Sequence, residues 1–353
     1  MPLRHGSIFA LTLAAVAALA APALAAGGSP TVLLGARVGK LTDPDTETQL
    51  KDLENTLGRK LAIDNDIEGW TPDAQPVGFP DVARVRWDIQ NGRIPMLSWM
   101  VVFNPQHPRA DYCATVSDIA GGRYDDQLKG QARALKDLPT TVLVRWAYEL
   151  GSKASRCLLG GLNQENDAFS AGPAFVAAWR HIVDLFRKAG VRNVQWVWSP
   201  GSPAYSEEDG RPNDRWKYFY PGAGYVDWIA VDHYNKTMRA YPFGDDPMFR
   251  TFYKQAAGMG KPLMLAETAA NSDPNQSPDP QTVWLTSMRE SFPRDYPAVK
   301  AVVYWDVAGV LRMHNGHEKG AYGLTDRGIA AFKQLANDPY FTARDVKPYF
   351  TAH

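Results

Sequence analysis

Two glutamates close apolar runs that have the length of buried strands. Glu149 ends TTVLVRWAYE (140–149), and Glu267 ends KPLMLAE (261–267), where five apolar residues lead straight into the carboxylate. A carboxylate in such a setting is costly to bury without partners, so each invites a chemical reading. Side chains alternate along a strand, so Arg145, Ala147 and Glu149 are expected on one face of the first run. Leu263, Leu265 and Glu267 are expected on one face of the second. A facing pair of carboxyl groups is what glycosidic bond cleavage needs: one protonates the leaving oxygen and the other acts from the opposite face of the sugar. At about 5–5.5 Å the second acts as a nucleophile and the anomeric configuration is retained. That division of labour asks Glu149 to hold its proton above the ordinary glutamate range while Glu267 stays ionised. The bland alternative is that each glutamate pairs with a neighbouring Arg or Lys.

The elements that must carry these residues alternate along the chain. Short apolar stretches recur near 33, 61, 96, 143, 196, 229, 264 and 302, and helical patterns separate most of them. Helices are expected over 45–57, 81–91, 124–138, 173–189, 247–259, 281–291 and 327–335. Pro173 suits the first turn of its helix and Gly190 its C-terminal cap. Eight such units make an α/β fold, a (β/α)₈ TIM barrel of a single domain. Active sites in such barrels lie at the C-terminal ends of the strands, where Glu149 and Glu267 fall across the mouth from each other. No G-x-G-x-x-G follows the first strand, which weighs against a dinucleotide-binding enzyme.

Residues 1–25 are read as a signal peptide and 26–353 as the barrel domain. Arg4 and His5 give a short basic start, Ile8 to Ala21 is continuously apolar, and Ala23-Leu24-Ala25 has the small-x-small pattern of a cleavage site. A secreted or periplasmic protein is therefore expected, without membrane attachment after cleavage. The 38 Lys and Arg balance 38 Asp and Glu, so nothing in the charge favours a nucleic acid or an anionic membrane. Cys113 and Cys157 are too few for a zinc site, and both a disulfide and two separate thiols remain open. No metal or organic cofactor is expected, and the expected state is a monomer.

Several segments together resemble glycoside hydrolase family 26, the family of many β-mannanases: IPMLSW (94–99), YDDQLKGQARALK (124–136), VRWAYE (144–149), AAWRHIVDLFRKAGVRNVQWVWSP (177–200), YPGAGYVDWIAVDHYN (220–235) and KPLMLAET (261–268). The resemblance implies a retaining β-glycan hydrolase, β-mannan first, with Glu149 as acid/base and Glu267 as nucleophile. It further implies that Tyr234 hydrogen-bonds the nucleophile and that Trp99 and Trp305 shape the sugar site. Arg145 is expected to hold a carboxylate and Tyr148 to border the substrate. The family usually has His immediately before the acid and Asn-Gly soon after. Here Tyr148 precedes it, Leu150-Gly151-Ser152 follows, and KASRCLLGG (153–161) replaces an aromatic cluster. These departures bear on the substrate more than on the reaction. A mixed-linkage glucan, a xylan or a bacterial exopolysaccharide follows mannan, and a non-catalytic sugar-binding barrel is the competing class.

Other polar and aromatic residues are read more plainly. Asp232 orients a neighbour, and His233 either lines the cleft or is structural. Trp198 either offers a sugar platform or packs, with Trp196 facing the opposite side. Glu165, Asp167, Glu207, Glu208 and Asp209 are solvated. Of Tyr205, Trp216, Tyr218, Tyr220 and Tyr225, half are expected to serve distal sugars.

Overall fold

The computed structural model describes residues 31–39, 43, 45–70, 82–101, 115–150, 158–159, 168–201, 215–237, 239–271, 276–307 and 322–349. The proposed signal segment, Cys113, Cys157, Glu165, Asp167, Tyr205 and the 207–209 acidic run lie outside the described residues.

Eight parallel strands close on themselves in sequence order. They are β1 (Leu33–Val38), β2 (Ile63–Trp70), β3 (Ile94–Val101), β4 (Val142–Trp146), β5 (Val194–Trp198), β6 (Trp228–Asn235), β7 (Leu263–Ala270) and β8 (Val299–Asp306). Around them lie α1 (Thr46–Leu57), α2 (Val82–Gln90), α3 (Val116–Ala120), α4 (Asp125–Lys136), α5 (Ala168–Lys188), α6 (Pro247–Ala257), α7 (Pro280–Asp295) and α8 (Asp326–Asn337). All eight expected strands are present. The α5 helix begins five residues before the expected Pro173, which therefore sits inside it.

Strand alternation sorts the core into two layers. Leu33, Ile63, Met96, Leu143, Val197, Ala230, Met264, Ala301 and Val303 fill the barrel interior. Leu34, Leu97, Val144, Trp196, Ile229, Leu265 and Tyr304 form the wall that the helices cover. Trp196 and Trp198 are two residues apart and share the helix-facing side. Trp196 packs edge-on against Phe186, and Trp198 meets Trp216 and Tyr220, so the expectation that they diverge is corrected. Buried ion pairs fasten α1 and α2 to this wall, with Arg84 to Asp64 at 2.5 Å and Arg93 to Glu54 at 2.6 Å.

The inward face of β7 differs from simple alternation. Met264 and Ala266, not Leu263 and Leu265, point into the barrel. The ladder then slips: Val231 pairs with Leu265, but the next pair is Asp232 with Glu267. Against β8, Leu265 pairs with Val302 and the next pair is Thr268 with Tyr304. One extra residue in β7 makes a bulge, and a bulge re-aims the side chains that follow it. It is this irregularity that turns Glu267 to the inside.

Candidate active site

Glu149 reaches the mouth by a turn rather than by strand geometry. β4 ends at Trp146, and both Ala147 (φ 51°) and Glu149 (φ 52°) have left-handed backbone. Non-glycine residues rarely adopt that region, and such strain gathers at functional sites. Three backbone bonds hold the turn to its neighbours. The N–H groups of Ala147, Glu149 and Leu150 donate to the carbonyls of Trp99, Ser199 and Pro200 at 3.1, 3.2 and 3.3 Å. Arg145 points inward as expected, but Ala147 packs with the helix-side core, so the three residues do not share one face.

Glu149, Asp232 and Glu267 each offer a carboxylate oxygen, all within 4.8 Å of one another. Three carboxylates this close repel unless a cation lies among them. The fully buried Arg145 guanidinium supplies that charge. Its Nη1 donates to Asp232 at 2.5 Å, its Nη2 donates to Glu267, and its Nε donates to Ser98 Oγ at 2.9 Å. Ser98 passes the chain on by donating to Asn65 Oδ1 at 2.7 Å. Burial alone would loosen the guanidinium proton, but Asp232 and Glu267 hold it more tightly than usual. The acidic cluster thus finds its counter-charge within the chain, and Arg145 is the group that a bound divalent ion would have to face.

Glu267 has a second donor. The Tyr234 hydroxyl donates to its Oε2 at 2.5 Å, so both carboxylate oxygens are held. Glu149 differs: burial, then the charge of Glu267, push its carboxyl above the ordinary glutamate range, while Arg145 and Lys236 pull the other way. Two carboxyl groups with environments of opposite kind are how acid and base roles separate. Tyr148 lies with its ring over the Arg145 guanidinium, 3.8 Å from the centroid, close enough for a cation–π contact. Its phenol is pushed up by burial.

Trp305 is half-buried near the end of β8 and keeps the inward register of Ala301 and Val303. Trp99 does not border the mouth. It is 3% exposed, its ring lies 6.0 Å from Phe186 on the helix side, and it therefore cannot offer a face to a sugar. The reason is parity: Met96 and Ser98 are the inward residues of β3, so Trp99 points out. His233 is structural. Its ring stacks with Trp284, and Nε2 lies 3.1 Å from Asp246 Oδ1. Asp232, read as orienting a neighbour, holds Arg145. Ser98 and Asn65 were not among the residues expected at the site; the available signal was a lone serine at an inward position of the apolar strand β3, whereas Asn65 lies among the acidic residues of β2.

Closed parallel barrel and inward carboxylates at the strand ends define a (β/α)₈ architecture with an acidic, arginine-centred mouth. Within it, residues 123–274, which include both glutamates, match the model of glycosyl hydrolase family 26. The chain is 26% identical over 277 residues to Endoglucanase H of Acetivibrio thermocellus, covering 77% of this chain and 27% of that protein. It is 24% identical over 221 residues to a mannan endo-1,4-beta-mannosidase of Bacillus subtilis, covering 58% of this chain and 55% of that one. The chain thus spans between about a quarter and just over half of these relatives. Among solved structures, Bacillus subtilis mannanase man26 superposes with a TM-score of 0.61 at 18% identity, over 88% of this chain and 86% of that one, a likeness of fold. Among the described residues, no helix is long and apolar enough to cross a membrane.

Proposed function

We propose that the protein is a retaining glycoside hydrolase that cuts β-linked polysaccharide, with β-mannan as first substrate. The reading rests on Glu149 and Glu267, whose oxygens approach within 4.8 Å at the barrel mouth. That separation leaves no room for a water molecule between nucleophile and sugar, which favours direct attack. Glu149 gives its proton to the leaving oxygen as the glycosidic bond breaks, and Glu267 forms a bond to the anomeric carbon. Glu149, now ionised, takes a proton from water as that water displaces Glu267, which restores both groups. Arg145 and Tyr234 fix Glu267 at both oxygens and aim one lone pair at the sugar. Trp305 offers an aromatic surface, and Tyr148 borders the acid.

Mannan is supported by the family 26 match and by the relatives named mannan endo-1,4-beta-mannosidase. A β-glucan is the second reading, supported by Endoglucanase H, the relative matched over the larger share of this chain. Export, directed by residues 1–25, is proposed on the basic start and apolar run at the N-terminus. The test is release of reducing ends from mannan, mixed-linkage glucan and xylan, with Glu149→Ala and Glu267→Ala as controls. Proton NMR of the first product then reads its anomeric configuration. Sugar binding without any release, equal in all three proteins, would replace the hydrolase by a binding barrel. An inverted first product would refute the nucleophilic role of Glu267.

A further inference from the structure

Among the described residues, Phe169 and Tyr218 are the exposed large hydrophobic side chains, at 79% and 52%. They are adjacent to each other: the ring centroids lie 6.1 Å apart at 76°, an edge-to-face corner. Their neighbours Phe175, Trp179 and Phe219 are all buried, so the exposure is confined to this pair. Contiguous apolar surface left in water marks a binding site more often than scattered single residues do.

The corner is built. Tyr218 lies in a 3₁₀ turn over Arg215–Phe219, which rests on the first turns of α5. A Cβ at Gly172 would meet the Tyr218 carbonyl oxygen at 2.5 Å, so the turn can lie this close to the helix only over glycine. Its height on the barrel follows from the helix. Phe175 stacks on Trp146, the last residue of β4, at 5.4 Å and 17°. α5 runs back against β4, so the six residues from Phe175 to Phe169 rise about 9 Å beyond the strand end, towards the mouth. The pair therefore stands on the rim next to the strand that leads into Glu149.

The geometry points to a carbohydrate platform: Phe169 and Tyr218 hold a distal stretch of the same β-glycan chain whose scissile bond lies between Glu149 and Glu267. An aromatic face accepts the apolar C–H face of a β-linked pyranose, and the phenol of Tyr218 adds a hydrogen-bonding handle. Binding at two places on one polymer makes the second contact intramolecular and raises affinity for long chains only. This inference rests on the proposed hydrolase reading for its choice of polymer.

The experiment uses the full chain. Retardation in native gels containing soluble mannan is measured in a Glu267→Ala background, with and without F169A/Y218A. In parallel, kcat/KM is compared between polymer and a short manno-oligosaccharide in otherwise unaltered protein. Removal of both rings is expected to weaken retardation about tenfold. It should leave kcat/KM on the oligosaccharide within about twofold, while Tyr218→Phe keeps most of the retardation because the ring face stays. Unchanged retardation would overturn the platform. So would an equal loss on both substrates, which would place the rings in the cleft, or a change in oligomeric state, which would make them a contact between copies. If the parent cuts no β-glycan, the catalytic reading falls, and retardation still scores the platform on its own.

Discussion

Arg145→Met is the perturbation whose consequences can be worked out furthest. The guanidinium is fully buried, and it donates to Asp232, Glu267 and Ser98. Methionine fills similar space but leaves two buried carboxylates without their cation. Removing one partner of a buried ion pair costs roughly 3–5 kcal/mol, because the remaining charge stays desolvated. At about 2–4 °C per kcal/mol for a large domain, the midpoint should fall by roughly 6–20 °C at neutral pH. The penalty should also depend on pH. Burial already holds the Asp232 carboxyl well above its unfolded value of about 3.9, and removing the guanidinium that opposes this raises it further. A group raised in the folded state adds stability below its unfolded pKa and loses it as pH rises through the folded one. The difference between parent and variant should therefore shrink as pH falls from 7 towards about 4.5. Calorimetric melts of both proteins at the two pH values give the measurement. A penalty below about 1 kcal/mol, or one equal at both pH values, would refute the view that this arginine neutralises the acidic mouth.

Glu149 should set the alkaline limb of activity: its raised pKa keeps the proton past the ordinary glutamate range, and rate is lost as pH rises through it. Glu149→Gln should lower kcat on unactivated substrate about 10²–10⁴-fold and remove that limb from the pH–rate profile. Asp246 works in the other direction. Burial opposes its charge, but His233, the Phe249 N–H and Tyr241 bring its pKa down to about 2, so it stabilises above the unfolded value and its contribution fades as pH falls towards 2. Asp246→Asn should cost about 1–2 kcal/mol in urea titrations at pH 7 and much less in acid, because the amide still caps α6 through Met248 and Phe249 but loses the charge that faces His233. Trp99→Ala should destabilise by about 3–5 kcal/mol, as a core residue does, with KM unchanged in the surviving folded protein; a rise in KM at equal stability would restore it to the sugar site.

The barrel was legible because eight apolar runs separated by amphipathic stretches leave little else for a chain of this length to do. Element ends were read less well where a local signal competed. Pro173 looked like a helix start, yet α5 is already helical at Ala168, five residues before it. The catalytic candidates were found by position at strand ends, but the reason given for each was incomplete. Period-two alternation would have sent Glu267 outward with Leu263 and Leu265, and Glu149 belongs to a turn, not to a strand. Both depend on backbone irregularities that no side-chain pattern announces. Trp99 shows the converse: alternation from Met96 and Ser98 places it on the helix side, against the sugar-site role that the family resemblance implies. The Ser98–Asn65 chain behind Arg145 was missed because neither residue titrates, so nothing marked them as more than polar.

The bulge in β7 also bears on how such a barrel keeps its chemistry. Ala266 is the supernumerary residue of that strand: it faces inward after Met264, and the bulge lets Glu267 face inward beside it, opposite Asp232. Deleting that alanine would restore regular pleating and leave the glutamate in the inward place that Ala266 vacates, still opposite Asp232. The surrounding ladder, the arginine and the rim aromatics would keep their places. The bulge thus lets this strand carry one residue more or fewer without turning its carboxylate away from the mouth, so its length can vary at this point while the acidic cluster stays whole.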